Sequence, residues 1–162
     1  MYYLSYRPQR IDEIDNVAVR ERIRSILDSG KIPHAILFTG PKGTGKTSTA
    51  RIVAKSINCL NNRKAAQKGK IPEPCNACKE CKAITEGVSL DVVEVDAASN
   101  RRIDDIRELI ASTKYAPASG VKKIYIIDEV HMLTMEAFNA LLKTLEEPPA
   151  HVLFMLATTE LE

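Results

Sequence analysis

The stretch Gly40-Pro41-Lys42-Gly43-Thr44-Gly45-Lys46-Thr47 meets every specified position of the phosphate-loop pattern G-x-x-x-x-G-K-[ST]. Its glycines at 40, 43 and 45 let the backbone curl its N–H groups around an anion without a Cβ in the way. Lys46 supplies a cation for the outer phosphates, and the Thr47 hydroxyl suits the octahedral oxygen shell of Mg²⁺. Upstream, Ala35-Ile36-Leu37-Phe38 is a short apolar run of buried-strand type. Downstream, Ser48 to Ile57 has the pattern of a helix whose N-terminal dipole points at the same anion, with Ser48 among the expected phosphate contacts. Strand, loop and helix stand in the order a nucleotide site needs.

The 162 residues suit one domain, 1–162, large enough to bury a core. With 44% hydrophobic and 27% charged residues the composition is that of a globular protein. No apolar run approaches the roughly 20 residues that span a bilayer, and Met1 to Arg7 does not have the pattern of a signal peptide. A cytoplasmic protein without a membrane partner is expected. The net charge of +2 is too small to argue for or against a polyanionic partner, and 5% aromatics with no Trp speak against a base-stacking platform.

All four cysteines fall in one segment, Cys59, Cys75, Cys78 and Cys81, spaced C-x15-C-x2-C-x2-C. The close pairs let neighbouring thiolates converge on one ion, and Cys59 closes a tetrahedral Cys₄ shell. A structural Zn²⁺ is the favoured reading; an iron–sulfur cluster takes the same four thiolates. Disulfides fit poorly with a reducing compartment, and four protein ligands leave no open position for a catalytic water. Arg63, Lys64, Lys68 and Lys70 with Gly69, Pro72 and Pro74 describe a polar loop, so residues 59–81 are expected as an insertion outside the core.

Along the rest of the chain, Tyr6-Arg7-Pro8 opens an extended arm. Val19, Ile23, Ile26 and Leu27 mark an amphipathic helix closed by Gly30 and Pro33. Leu90 to Val95 reads as a strand, after which Ser99 or Asn100 caps a helix carrying Ile103, Ile106, Leu109, Ile110 and Thr113. Lys123-Ile124-Tyr125-Ile126-Ile127-Asp128-Glu129 is a continuous apolar strand ending in two carboxylates. In a parallel sheet those acids arrive beside the phosphate loop, Asp128 toward Mg²⁺ and Glu129 toward the attacking water. Asp128-Glu129-Val130-His131 also spells the D-E-x-H of some helicases, which need a second motor domain. Met135, Phe138, Leu141, Leu142 and Leu145 form the apolar stripe of a further helix, stopped by Pro148-Pro149. A last strand, Val152 to Ala157, delivers Thr158 and Thr159. Four strands alternating with helices predict a three-layer α/β/α sandwich on a parallel sheet with right-handed crossovers.

Together the phosphate loop, the Cys₄ segment after its helix, Asp96-Ala97-Ala98-Ser99-Asn100, Ile127 to Leu133, Phe138 to Pro149 and Leu156 to Thr159 resemble one family. It is the bacterial DNA polymerase III gamma/tau family of clamp-loader ATPases, within the AAA+ superfamily. The resemblance runs from about Tyr6 to Glu162. It implies an ATPase using ATP/ADP, Mg²⁺ and Zn²⁺, with Gly40 to Thr47 as Walker A, Asp128 and Glu129 as the Walker B pair, and Thr159 or its neighbour Thr158 as sensor 1. Catalysis would fall to Glu129, Lys46 and Thr159, and magnesium to Thr47 and Asp128. Arg7 and Pro8 match residues that line the adenine pocket, although Ile11 and Asp15-Asn16 stand where the family usually has an aromatic residue and a Gly-Gln pair. Arg101, Arg102, Arg107 and Lys143 lie in regions similar to a DNA-tracking surface. Implied partners are the delta and delta prime subunits, further gamma/tau copies, the sliding clamp and primer-template DNA. The rival readings are a non-hydrolysing scaffold subunit and an unrelated zinc-bearing P-loop protein. The family's trans-acting Ser-Arg-Cys segment, lid and collar lie beyond Glu162, so an excised, monomeric, slowly hydrolysing fragment is expected, with an unpaired edge beside the phosphate-loop strand.

Overall fold

The strand Val152–Thr158 is buried at every position, which only a central strand covered on both faces can be. The computed structural model describes residues 7–160; Tyr6 of the expected arm lies outside them. In chain order the elements are α1 (Val17–Asp28), β1 (Ala35–Thr39), α2 (Lys46–Asn58), α3 (Arg63–Gln67), α4 (Lys79–Glu86), β2 (Val92–Asp96), α5 (Ile103–Ser112), β3 (Lys123–Asp128), α6 (Met135–Glu146) and β4 (Val152–Thr158). Single 3₁₀ turns occupy Ile11–Glu13, Leu60–Asn62 and Val130–Met132.

The four strands form one parallel sheet in the order β1-β4-β3-β2. Alternate residues of β3 and β4 feed two cores. Ile124, Ile126, Leu153 and Met155 pack with Ile23 and Leu27 of α1, Ile52, Val53 and Ile57 of α2 and Ile84 of α4. On the opposite face Tyr125, Ile127, Phe154 and Leu156 meet Ile106 and Leu109 of α5 and Ala137 and Leu141 of α6. Tyr125 and Phe154 stack at 5.4 Å between centroids, and burying each such ring is worth about 2–3 kcal/mol. The expected three layers are thus present.

After β1 the chain crosses one face to the far edge at β2, then winds back through β3 and β4 across the other face. The winding direction reverses between β1 and β4, and the carboxyl ends of strands at such a point form the ligand crevice of an open α/β sheet. Register sets what meets there: Thr39 lies beside Thr158, Ile127 beside Leu156, and Asp96 beside Asp128.

Several sequence expectations change. Helix α5 starts at Ile103 after Arg102, which makes no side-chain cap, because Asp96 to Asn100 is used up in a turn of its own. There Ser99 N and Asn100 N donate to Asp96 O, and Ala98 N donates to Asp96 Oδ1. Thr113 falls one residue beyond the helix, buried at its C-cap. In α6, Thr134 caps the helix by accepting from Ala137 N, and Met135, expected in the core, is 75% exposed at the first position of the helix. The metal segment is not set apart from the core. Its polar stretch Arg63–Gln67 forms a short, largely exposed helix, but Ile71 packs in the core and Cys81 is buried on α4, next to Ile84 of the same core. The expected unpaired edge is present: among the described residues β1 pairs only with β4, and Leu37, on its less covered face, is 60% exposed.

Candidate functional site

Gly43 and Gly45 of the phosphate loop have φ near +81° and +82°, a left-handed backbone that L side chains rarely adopt, and Gly45 is the N-cap of α2. A Cβ at either position meets no atom within 4 Å, so conformation rather than crowding demands glycine there. The Thr44 hydroxyl donates to Pro41 O at 2.8 Å, and Lys46 Nζ donates to Gly40 O at 2.7 Å and Pro41 O at 2.9 Å. These bonds fold the loop back on itself and hold the Lys46 ammonium against it. Gly40 N donates to Thr158 O at 3.3 Å, which fastens the loop to β4. Lys42 is exposed, while Thr47 and Ser48 are half-buried in the first turn of α2.

Asp128 ends β3, half-buried, with Oδ1 accepting from Glu129 N at 2.9 Å. Strand spacing of about 4.8 Å places the ends of β1 and β3, which flank β4, roughly 10 Å apart. Glu129 has φ +54°, an uncommon conformation for a side-chain-bearing residue, which turns the chain sharply as the strand ends. Its carboxylate lies 3.2 Å from His131 Nε2, and His131 Nδ1 lies 2.8 Å from Thr158 Oγ1. Glu129, His131 and Thr158 therefore form a polar chain from the end of β3 to the end of β4. Thr159 follows, half-buried, beyond the strand.

Arg7, Pro8 and Gln9 cross the start of α2 and enclose a cavity of about 260 Å³. Its floor is Ser48, Arg51, Ile52 and Lys55, spaced i, i+3, i+4, i+7 along one helix face, and Thr85 of α4 closes a wall. Arg51 is held by a two-point ion pair with Glu94, its Nη2 donating to Oε2 at 2.8 Å. The bond to Glu94 raises the Arg51 pKa against the opposing effect of burial. Lys55 is 1% exposed, and its Nζ donates to Gln9 Oε1 at 2.5 Å and Asn76 Oδ1 at 2.9 Å. Burial draws that ammonium below its ordinary pKa, with the charges of Cys81 and Glu13 acting the other way.

The four cysteine Sγ atoms lie within 4.8 Å of one another, Cys75 and Cys81 at 4.0 Å. A tetrahedron with Zn–S of about 2.3 Å has edges of about 3.8 Å, so the donor set fits that ion. Backbone N–H groups point at the sulfurs: Ala77 N and Cys78 N at 3.4 and 3.2 Å from Cys75 Sγ, and Cys81 N at 3.4 Å from Cys78 Sγ. Burial opposes ionisation of Cys75, yet the amides of Ala77 and Cys78, together with the Cys59 and Cys78 side chains, outweigh it and bring its pKa down to about 6. Burial pushes the Cys59 and Cys81 thiols up. The cluster has the charge-stabilising amides of a thiolate site and no disulfide among its members.

The basic residues expected on a tracking surface are differently engaged. Arg101 Nε donates to Met132 O at 2.8 Å, and Arg107 lies 3.8 Å from Asp104 and 3.7 Å from Glu136. Arg102 and Lys143 are exposed. No helix among the described residues is long and apolar enough to cross a membrane.

The family model described as DNA polymerase III, delta subunit, matches residues 16–162. The chain belongs to this family of DNA polymerase III subunits. Within it, the DNA polymerase III subunit tau of Bacillus subtilis (strain 168) is 50% identical over 159 residues, covering 98% of this chain and 27% of that protein. Subunit tau of Escherichia coli (strain K12) is 47% identical over 156 residues, covering 96% and 23%. Subunit gamma/tau of Mycobacterium bovis is 45% identical over 163 residues, covering 99% and 27%. The chain thus spans about a quarter of the length of these relatives. Among solved structures, Thermotoga maritima RuvB T158V superposes with a TM-score of 0.59 at 19% identity, covering 96% of this chain and 42% of that one. A gamma subunit-related protein from the same organism gives 0.52 at 23% identity, covering 90% and 40%. These structural likenesses bear on the fold alone.

Two residues beside the phosphate loop and the Asp128-Glu129 pair escaped sequence reasoning. Lys55 had a signal, since it shares with Ser48, Arg51 and Ile52 one face of the phosphate-loop helix. His131 lies in the helicase-like motif and in the Ile127 to Leu133 stretch, but no role attaches to it there, and nothing local in sequence pairs it with Thr158, 27 positions away.

Proposed function

We propose that the chain is the ATP-binding and hydrolysing core of a sliding-clamp loader of the bacterial replicative polymerase. The observation carrying this reading is the convergence of the phosphate loop, the Asp128-Glu129 pair and the end of β4 at the switch point of the sheet, in a member of a DNA polymerase III subunit family. Residues Gly40 to Thr47, with Ser48, bind the phosphates through loop and helix amides. Lys46 exchanges its two carbonyl partners for oxygens of the outer phosphates, so the compact resting loop opens onto the anion. Thr47 and Asp128 would hold Mg²⁺, which when bound offsets charge on the outer phosphates. Glu129 orients the attacking water and takes its proton. Thr159, with Thr158 anchored beside it, reads the terminal phosphate, and Arg7 and Pro8 hold the nucleoside end.

Cys59, Cys75, Cys78 and Cys81 would hold Zn²⁺ in a closed four-thiolate shell, a structural role with no position left for substrate. Because a triphosphate links groups on β1, β3 and β4 that a diphosphate links less completely, ATP and ADP favour different arrangements of the site. In the whole protein that difference would be transmitted to other clamp-loader subunits, the clamp and primer-template DNA. A scaffold subunit has no need for a base beside a magnesium ligand, which supports the catalytic reading over that alternative.

Calorimetric titration with Mg-ATP tests the site. Binding to this chain should weaken at least tenfold in Lys46→Ala, about 1.4 kcal/mol or more for a lost charge-assisted contact. Unchanged affinity in that variant, or no binding by the unsubstituted chain, would refute the proposal.

A further inference from the structure

Lys55 is a buried cation whose hydrogen-bond partners among the described residues are two neutral amide oxygens, those of Gln9 and Asn76. Desolvating an ammonium is costly, so these two contacts do more than decorate the surface. They also come from two different parts of the chain. Gln9 belongs to the arm that, with Arg7 and Pro8, walls the cavity beside the phosphate loop. Asn76 lies inside the cysteine knuckle between Cys75 and Cys78, in a left-handed conformation with φ +57°. Its side chain uses both ends: Oδ1 accepts from Lys55, and Nδ2 donates to the Gln9 carbonyl at 3.0 Å. A second connection runs through α4, where Thr85 lines the same cavity and its hydroxyl donates to Cys81 O at 3.0 Å. Four thiolates around one Zn²⁺ form a net dianion, of the sign that suits a buried ammonium close by.

We infer that the cysteine centre is a positioning element of the nucleotide pocket: through Asn76, Lys55 and Gln9 it fixes the arm that forms the nucleoside wall. This rests on the nucleotide reading given above. Metal occupancy and nucleoside affinity are then reciprocally linked, each favouring the conformation the other needs. Lys55, Gln9 and Asn76 act through the wall rather than on the phosphates, so their effect is confined to ligands that carry a nucleoside.

The test compares ADP with tripolyphosphate on the zinc-loaded chain and two variants, with zinc content measured by atomic emission. Asn76→Gly keeps the left-handed backbone and deletes both bridges; Gln9→Ala deletes the Lys55 contact and touches no thiolate. ADP affinity should fall about tenfold in each, while tripolyphosphate affinity stays within about twofold. If Asn76→Gly sheds zinc, Gln9→Ala decides the matter. Unchanged ADP affinity in zinc-loaded Gln9→Ala, or an equal loss for both ligands, overturns the inference and leaves the nucleotide site standing. Failure of the unsubstituted chain to bind either ligand overturns the nucleotide reading itself.

Discussion

Replacing Asp91 with Asn should destabilise the protein strongly while sparing the nucleotide site. Asp91 immediately precedes β2 and is 1% exposed. Its carboxylate accepts from the backbone N–H groups of Ala118 at 2.6 Å, Ser119 at 2.8 Å and Gly120 at 2.5 Å, and from the Ser119 hydroxyl at 3.4 Å. A hydrogen bond to a charged group is worth about 1.5–3 kcal/mol, and the Asn amide would turn an N–H toward donors that then lack an acceptor. Allowing for the relief of no longer burying a charge, the net loss at neutral pH is about 3 kcal/mol. Burial opposes ionisation of Asp91, but the amides of Ser119, Gly120 and Ala118 outweigh it and hold its carboxyl below the ordinary value. A carboxyl depressed in the folded state contributes fully above its unfolded pKa of about 3.9 and loses that contribution as pH falls through the lower folded value. Urea unfolding should place the Asp91→Asn midpoint about 1.5 M below the parent at pH 7, for a slope near 2 kcal/mol/M, and the gap should narrow below about pH 4. The loop lies at the amino ends of the strands, away from the phosphate loop, so Mg-ATP affinity below the melting range should be unchanged. A loss under about 1 kcal/mol, or a gap that does not narrow in acid, would refute the reasoning.

In the full-length protein, Glu129→Gln should keep ATP affinity and slow hydrolysis by at least about 100-fold in single-turnover assays; unchanged turnover would remove Glu129 from the base role. Cys59→Ser, at a fully buried position, should cost the bound zinc by atomic emission and on the order of 3 kcal/mol by thermal melting, and full zinc retention would contradict the four-ligand site. Gly120→Ala puts a Cβ 2.6 Å from Asn58 Cγ, whose side chain grips Val121 and Lys122 through backbone bonds of 3.0 Å, and should cost about 1–3 kcal/mol in urea unfolding. Wild-type stability in that variant would mean that Asn58 moves freely.

Local sequence determined the elements and the chemistry at their ends. Periodicity and apolar runs placed all four strands and the long helices to within a few residues, because each burial pattern is set by neighbours one or two turns away. The phosphate loop was readable because its left-handed glycines and its lysine act within eight residues, and the cysteines because their spacing is that of a four-thiolate metal shell. Where a local signal had competing uses, reading went astray: Ser99 and Asn100 could cap a helix, yet they are spent in the Asp96 turn. The 59–81 segment looked polar on average, but Ile71 packs in the core and Cys59 and Cys81 are fully buried, which ties it to the rest of the domain.

Only the tertiary structure decided which strand lies between which, and therefore that β4 separates the phosphate loop from Asp128 and brings Thr158 to His131. It alone joined Lys55, Gln9 and Asn76, which no pattern of fixed spacing links. Such contacts are long-range in sequence, and they form only where the sheet and its helices have already buried the groups that make them worth forming.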